Sequence, residues 1–505
     1  MDLFLQRHAD KIAGVLSCWD RVVITGTVPG ICFAQGMTGF LNANGIRIFD
    51  YPEWAEPLRN QIRENAERLA AEAGLEIEFI RKNDFRKEQR VRQILLARGE
   101  HPGLVHVFSA MEPCASYTPW HDKKTGRTYL KPATAKCLHY YFYFVLPQLG
   151  LCYLRVPTWA PFRLQFYFNG HNALAGMLRN KGIGFRLLDN TFVQCDDWDA
   201  AQALSDGLKP EIIHRILDSV AARYCPVVEK FSPCHWSLMQ VEYATDIVFR
   251  RQADLTHLYA ELSRTAIHSI KADKVSTFLG RKLHPGYQDE IGNNFSTRIE
   301  GTCIKHHMGR VSIKMYDKHG LVLRVETTTN DVSFFKHHRK VEHRDGTETR
   351  KVAPLKKSIY SLVDLRGLLF AANRRYLDFI AAVDDPTNAI RDLDKLSRPV
   401  RKNDRSFRGF NLFSGPDLEL FRAIIDGGTN VSGFRNRDLQ QSLSISGRQV
   451  SAVLRRLREH GLIKKVGGTF KYYLTAFGRR ATATGLKLRE MAAIPLLRGM
   501  LTQKA

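Results

Sequence analysis

The chain has 505 residues, an apolar fraction of 44% and a formal charge of +24, from 75 basic and 51 acidic side chains. Such a chain is long enough for about three domains and apolar enough for packed cores, which excludes a disordered polyelectrolyte. The surplus of positive charge points to a polyanionic partner, and nucleic acid is the commonest one.

The first 110 residues alternate short apolar runs with helical patterns. RVVITGT (21–27), IRIFD (46–50), LEIEFI (75–80) and LVHVFSA (104–110) read as strands, and 53–73 and 84–98 as amphipathic helices. That order predicts a small α/β layer with a parallel sheet over 1–130. No phosphate-binding loop or Gly-x-Gly-x-x-Gly pattern accompanies it. The nine cysteines stand singly, without a Cys-x-x-Cys pair, as in a reducing cytoplasm. The most apolar run, from 137, is interrupted by Pro147, Gln148 and Arg155, so no membrane span is expected.

Residues 131–383 read as an α+β region. Its first part, 137–170, is an aromatic sheet. In PFRLQFYFNG, Phe162, Leu164, Phe166 and Phe168 share one face and Arg163, Gln165, Tyr167 and Asn169 the other. Tyr141, Tyr143, Tyr153 and Arg155 precede them. Such a face can stack unpaired bases, or its tyrosines can simply be core. Helical segments are expected around 198–223 and 236–280, followed by a basic β-meander over 295–354 and a helix over 358–383.

Within the meander, SIKMYDKHGLVLRVETTTND (312–331) alternates on both sides of Lys318-His319-Gly320. A three-residue loop with Gly320 left-handed would pair Ile313 with Val325 and Met315 with Leu323. Lys314 then faces Arg324, an opposition of like charges that asks for an anion, either Glu326 or a phosphate. The polar face collects Lys305, His307, Lys314, Tyr316, Arg324 and Glu326. On the phosphate reading, Glu326, Lys314 and Tyr316 are the candidate catalytic residues. Glu326, Glu300 and Asp331 are the candidate ligands of Mg2+ or Mn2+, and Arg324 is a backbone contact. The alternative is a solvated face on which Glu326 balances two cations.

Residues 384–410 have little apolar content and read as a linker. From Arg391 to the end the chain carries 23 basic and 9 acidic residues. Helices are expected at 416–427, 436–443 and 446–461, the last burying Val450, Val453, Leu454 and Leu457. Arg448, Gln449, Arg455, Arg456 and Arg458 are expected to face outward. LIKKV (462–466) and FKYYL (470–474) then form a two-stranded element around Gly467-Gly468.

In its order of elements, 411–505 resembles the winged helix-turn-helix of MarR-type regulators, including the closing LTAFGRR (474–480). The resemblance implies a recognition helix at 447–459 and phosphate contacts from Lys464, Lys465 and Lys471. KMYDKHGLVLRVE is similar to a strand pair of rolling-circle replication initiators, in which a glutamate helps bind a divalent metal and a tyrosine attacks the phosphodiester. The chain has no His-x-His pair, only His306-His307 and His337-His338. Along most of its length it also resembles an uncharacterised bacterial family, some members of which are labelled winged-helix regulators.

Together these features predict a multidomain α+β, cytoplasmic protein that binds double-stranded DNA, with Mg2+ or Mn2+ as its candidate cofactor. It would be a sequence-specific DNA-binding protein of a mobile element or plasmid, with metal-dependent strand processing and with a homodimer left open. Two other readings stand beside it. One is a non-enzymatic winged-helix transcription regulator, and the other is a protein that binds RNA or single strands through the 137–170 sheet.

Overall fold

The computed structural model describes all residues except 82–83, 284–286, 288–289, 299–300, 344, 384–385, 426–432 and 495–505. It is a mixed α+β chain that divides into two compact units, Met1–Asp384 and Asp385–Ala505. Among the described residues no helix is long and apolar enough to cross a membrane. All nine cysteines are free.

The first unit is built on one sheet of eleven strands. In chain order the strands are β1 (Ile12–Thr27), β2 (Ile77–Phe79), β3 (Gly103–Asp122), β4 (Arg127–Leu146), β5 (Gly150–Pro157) and β6 (Leu164–Phe168). A separate hairpin, β7 (Phe185–Leu188) and β8 (Thr191–Cys195), precedes β9 (His235–Phe249), β10 (Ile291–Arg298), β11 (Gly301–Met308), β12 (Val311–Lys318) and β13 (Val322–Thr329). Across the sheet the order is β10-β11-β12-β13-β9-β1-β6-β5-β4-β3-β2. Among the described residues only β2 and β3 pair in parallel.

This corrects the expected parallel layer over 1–130. β1 lies at the centre of the sheet, hydrogen-bonded to β6 and β9, so the first 130 residues and those up to 329 share one framework. The expected boundary at 130 falls inside β4. The run 46–50 forms a short 3-10 turn, Ile48–Asp50, in place of a strand. The helix expected from 236 begins only at Gln252, because 235–249 is the central strand β9.

The two faces of the sheet differ in chemistry. Side-chain alternation puts Trp19, Val22 and Ile24 of β1, Phe142 and Phe144 of β4, Leu164, Phe166 and Phe168 of β6, and Ile313 and Met315 of β12 into one buried core. Helices Tyr51–Glu72, Pro210–Tyr224, Gln252–Ser269 and Leu362–Val383 contribute Ile62, Leu217, Leu262 and Leu369 to the same core. At about 1.5–3 kcal/mol for each large side chain buried, this face supplies the main drive to fold the unit. The expected alternation holds over 164–168, and Phe162 is buried with it although it precedes the strand at φ 54. The opposite face carries Tyr141, Tyr143, Tyr153, Arg155 and Tyr167 on one side of β1, and Glu242, Asp246, Arg324, Glu326, Lys314 and Tyr316 on the other.

The hairpin β12–β13 keeps the expected faces but pairs two residues further along. Lys314 lies opposite Glu326 and Tyr316 opposite Arg324, where Lys314 opposite Arg324 was expected. A shift of two preserves which side chains are buried, so alternation cannot detect it, whereas it replaces a repulsive cross-strand pair with an ion pair. The loop is His319-Gly320-Leu321, with both His319 (φ 56) and Gly320 (φ 65) left-handed. The strands β11 and β12 pair with Lys305 opposite Lys314. The basic hairpin Lys336–Glu342 and Glu348–Pro354 forms as a separate two-stranded sheet.

In the second unit, 384–410 is not an open linker. It contains the helix Pro386–Ser397 and a small hairpin, Val400–Lys402 with Arg405–Phe407. Helices follow at Gly415–Ile425, Asn436–Leu443 and Gly447–Glu459, then strands Ile463–Lys465 and Tyr472–Leu474, and the helix Ala476–Leu488. Ser446 caps the Gly447–Glu459 helix in a capping box with Gln449, and Gly461 (φ +72) follows its end. Val450, Leu454 and Leu457 lie in a core with Phe421, Leu439 and Ile463.

Gly320→Val tests the hairpin. A β-branched residue at φ 65 should cost on the order of 1–2 kcal/mol, read as a lower urea midpoint. An unchanged midpoint would mean that the loop takes another conformation.

Candidate functional site: a carboxylate cluster on the polar face

The polar face is built where β12, β13, β9 and β1 lie side by side. Register alone brings Lys314 next to Glu326, Glu326 next to Ala244, and Arg324 next to Asp246. On β1 the pairing with β9 slips between Trp19 and Arg21: Trp19 faces Tyr243 and Arg21 faces Glu242, leaving Asp20 as the extra residue. This β-bulge aims Asp20 at the polar face beside Arg21 and Glu242.

Arg324 is the hub. It is fully buried, and its Nε and Nη2 donate to the two oxygens of Asp246, each at 2.6 Å. Nη2 also donates to the Asn190 carbonyl at 3.0 Å, and Nη1 lies 3.2 Å from Asp20 Oδ1. His171, buried at the start of the Gly170–Lys181 helix, has its ring nitrogens 3.4 Å from Asp20 and 3.5 Å from Asp246. Asn169, the cap of that helix, donates from Nδ2 to Asp20 Oδ1 at 3.2 Å. Burial alone would push both carboxyls up. Arg324 and His171 more than offset it, holding Asp246 at about 2 and Asp20 lower still.

Beside this hub lies a second group. Lys314 Nζ donates to Glu326 Oε1 at 2.7 Å and is 3.7 Å from Glu242 Oε1. Tyr316 donates its hydroxyl to Glu326 Oε2 at 2.7 Å, and Thr328 donates to Oε1 at 3.2 Å. Burial works against the charge on Lys314, but Glu326 and Glu242 hold its ammonium above the ordinary value. Glu242 is pushed up to about 7, first by burial and then by the negative charge of Glu326. Oxygens of Asp20, Glu242 and Glu326 all lie within 4.8 Å of one another, close enough to share one cation. Asp20 and Glu242 also line an open cavity of about 510 Å3, together with Arg21, Arg92 and Tyr167.

The residues expected from sequence divide clearly. Glu326 and Lys314 are in the cluster. Tyr316 is there too, but its hydroxyl is committed to Glu326 and its pKa is raised well above the ordinary value by burial and that carboxylate, which opposes a role as nucleophile. Arg324 cannot be the backbone contact it was expected to be, since it is enclosed and bidentate on Asp246. Asp331 lies apart from the cluster: it caps the turn Val332–Phe334 through Ser333 and is 3.5 Å from Lys357. Glu300 lies outside the described residues.

In the second unit Arg448, Arg455, Arg458, Lys464 and Lys465 are exposed, and Lys471 is half-buried. Gln449 is exposed, with its Oε1 accepting from the Ser446 backbone at 2.9 Å as part of the helix cap. Arg456 is a correction. It is buried, paired with Asp417 at 2.8 and 3.0 Å, and its guanidinium lies 3.8 Å from the Phe410 ring. Its position on the outward arc of the helix is covered by 408–417, which no helical pattern within 446–461 can announce.

Sequence reasoning missed Asp20, Glu242 and Asp246. A signal existed, since Asp20 and Asp246 interrupt otherwise apolar stretches (SCWDRVVI and YATDIVF) and buried charges must be paired. Compared with family models, curated proteins and solved structures, the chain matches none.

The pKa of Glu242 gives a pH test. Between about 4.5, its ordinary value, and about 7, the folded state holds a proton that the unfolded state has lost. Stability should therefore fall as pH rises through this window, by up to about 3 kcal/mol from this one group. Glu242→Gln should flatten that part of the profile in urea melts from pH 4.5 to 8. An unaltered slope in the variant would show that Glu242 titrates normally.

Proposed function

We propose that the protein binds DNA through its second unit and acts on phosphodiesters at a divalent cation held by Asp20, Glu242 and Glu326. The observation that carries the second half is the approach of carboxylates from three adjacent strands, Asp20, Glu242 and Glu326, to within 4.8 Å of one another, the first two lining an open cavity beside basic side chains. Three oxygen ligands suit Mg2+ or Mn2+, which keep waters and bind substrate phosphate oxygens in the remaining positions. A cation there would neutralise charge developing on the phosphoryl group, and Lys314 would add to the same field. Arg324, Asp246 and His171 take no direct part; they fix Asp20 and the strands that present it.

Binding is assigned to the second unit on charge and element order. Three helices, a two-stranded element and a closing helix follow the sequence of a winged helix-turn-helix. The Gly447–Glu459 helix exposes Arg448, Arg455 and Arg458. Lys464 and Lys465 are exposed on the paired strands that follow it. A reading without chemistry is favoured by one observation: Glu326 already accepts from Lys314, Tyr316 and Thr328, so the cluster is satisfied by the chain's own groups.

The full chain should be incubated with end-labelled single-stranded and duplex DNA, with Mg2+ or Mn2+, and scored for both mobility shift and strand cleavage. Cleavage in the wild type that is lost in Glu242→Gln and Glu326→Gln, with the shift retained, is the expected result. No cleavage of either substrate with either metal would leave the protein a binder only.

Duplex affinity should fall steeply with salt, log K declining by about 0.9 per phosphate neutralised. Lys464→Ala with Lys465→Ala should reduce that slope by about two without changing the melting temperature. Arg456→Ala should do the reverse, destabilising the unit by about 3 kcal/mol because it strands Asp417.

A further inference from the structure

Beyond the carboxylates, the polar face continues across β6, β5 and β4 as a tyrosine platform. Tyr143, Tyr153 and Tyr167 are partners in register on three adjacent strands. The rings of Tyr153 and Tyr167 are stacked, 5.0 Å apart and inclined by 18°, and Tyr143 is 5.2 Å from Tyr153. The Arg21 guanidinium lies 5.6 Å from the centre of the Tyr167 ring.

The helix Lys87–Arg98 covers only part of this platform. Val91, on its inner side, packs with Phe108, Tyr141 and Tyr143. Beside it run two cavities, of about 490 and 510 Å3, which share Glu88, Arg92 and Tyr143 in their walls. The first is walled by Tyr153 and Arg155, and the second reaches Tyr167, Arg21, Asp20 and Glu242. Some of this lining is internal structure. Glu112 accepts from Tyr141 and Arg155 and lies 3.8 Å from Lys87, which ties the helix to the sheet. Tyr153, Tyr167 and Arg21 are not part of that tie.

A half-exposed pair of stacked rings, a guanidinium beside them and a trough of this size fit a flat aromatic group carrying negative charge. Each cavity falls in the range of about 300–1,000 Å3 typical of sites for single small ligands. That admits a nucleotide taken out of its stack but not a base-paired one. Aromatic platforms flanked by cations are the common means of holding unpaired bases without regard to sequence.

We propose that this trough holds an unpaired nucleotide of a single-stranded nucleic acid, its base against Tyr153 and Tyr167 and its phosphate drawn by Arg21 toward the Asp20–Glu242 end. Only the direction of the strand rests on the function proposed for the carboxylates; the stacking does not. The segment presented to the cluster is then single-stranded, while the second unit holds duplex. DNA and RNA share the chemistry that the platform reads.

The test uses the full chain and fluorescein-labelled dT15 and rU15, without metal, by fluorescence anisotropy. Tyr153→Leu should weaken binding of the preferred oligomer about tenfold, Tyr153→Phe should restore it, and duplex binding should be unchanged in both. Comparable melting temperatures show that the variants fold. Should Tyr153→Leu not fold, Tyr167→Leu is read in the same way. Photocrosslinking of an oligomer containing 5-iodouracil to the peptide carrying Tyr153 or Tyr167 gives an independent readout on the wild type.

Preference for dT15 or for rU15 supports the site and names its source. No binding of either oligomer, or equal affinity in folded Tyr153→Leu and Tyr167→Leu, overturns it. The two readings fail separately. Absence of metal-dependent cleavage in the wild type with stacking intact defeats the cation site, and intact cleavage of duplex with no single-strand binding defeats the trough.

Discussion

Arg324 is the constraint on which the polar face depends. A guanidinium removed from water is costly, and nothing of Arg324 is exposed. The cost is offset only by placing carboxylates on two sides of it, Asp246 from the neighbouring strand and Asp20 from the strand beyond. Because Asp20 belongs to β1, Asp246 to β9 and Arg324 to β13, one cation fastens three strands from three parts of the chain. The same guanidinium donates to the Asn190 carbonyl, so the β7–β8 turn is fixed to the sheet as well. The position of Asp20, and through it the spacing of the three carboxylates, follows from this one buried charge.

The sheet tolerates such a face because its other face is a conventional core. Phenylalanine, leucine and isoleucine on alternate positions bury against four helices and set the strand order. The polar positions inherit that geometry without contributing much to it. Where the polar face is covered by the Gly170–Lys181 helix, its charges are paired and enclosed. Where the cover is the Lys87–Arg98 helix, tyrosines and arginines remain at the wall of a trough. Burial therefore grades along one surface, from Arg324 to Tyr153, and the carboxylates stand at the transition.

Much of this was legible in sequence at the level of faces and little at the level of neighbours. The alternation of Phe162 to Phe168, the stripe of Val450, Leu454 and Leu457, and the left-handed Gly320 all follow from local periodicity and turn chemistry. The register of β12 on β13 does not, since a shift of two leaves every side chain on the same face. Opposition of Lys314 to Glu326 was the electrostatically better choice, and charge pairing could have selected it. Strand order was out of reach, because β9 is held beside β1 by pairs more than 200 residues apart and beside β13 by pairs more than 70 apart. The bulge at Asp20 is a fault in pairing between two such distant strands, so its effect on Asp20 has no local signature. Arg456 shows the same limit in the second unit. Its spacing marks it as outward, and only the fold brings Asp417 over it.

The place of Lys314 says how the cluster manages its charge. Glu242 and Glu326 are like charges on adjoining strands, and the ammonium between them is the nearest compensation. The compensation is uneven: Lys314 is 2.7 Å from Glu326 but 3.7 Å from Glu242, and it is Glu242 whose pKa rises to about 7. Near neutrality the cluster therefore exchanges a proton at Glu242, which lines the cavity together with Asp20. A divalent cation held there would compete with that proton and with Lys314, and would share Asp20 with Arg324. The arrangement separates the part that must not move from the part that can change its charge. Arg324, Asp246 and Asp20 hold the strands at any ordinary pH, while Glu242 is left to respond to what arrives in the cavity.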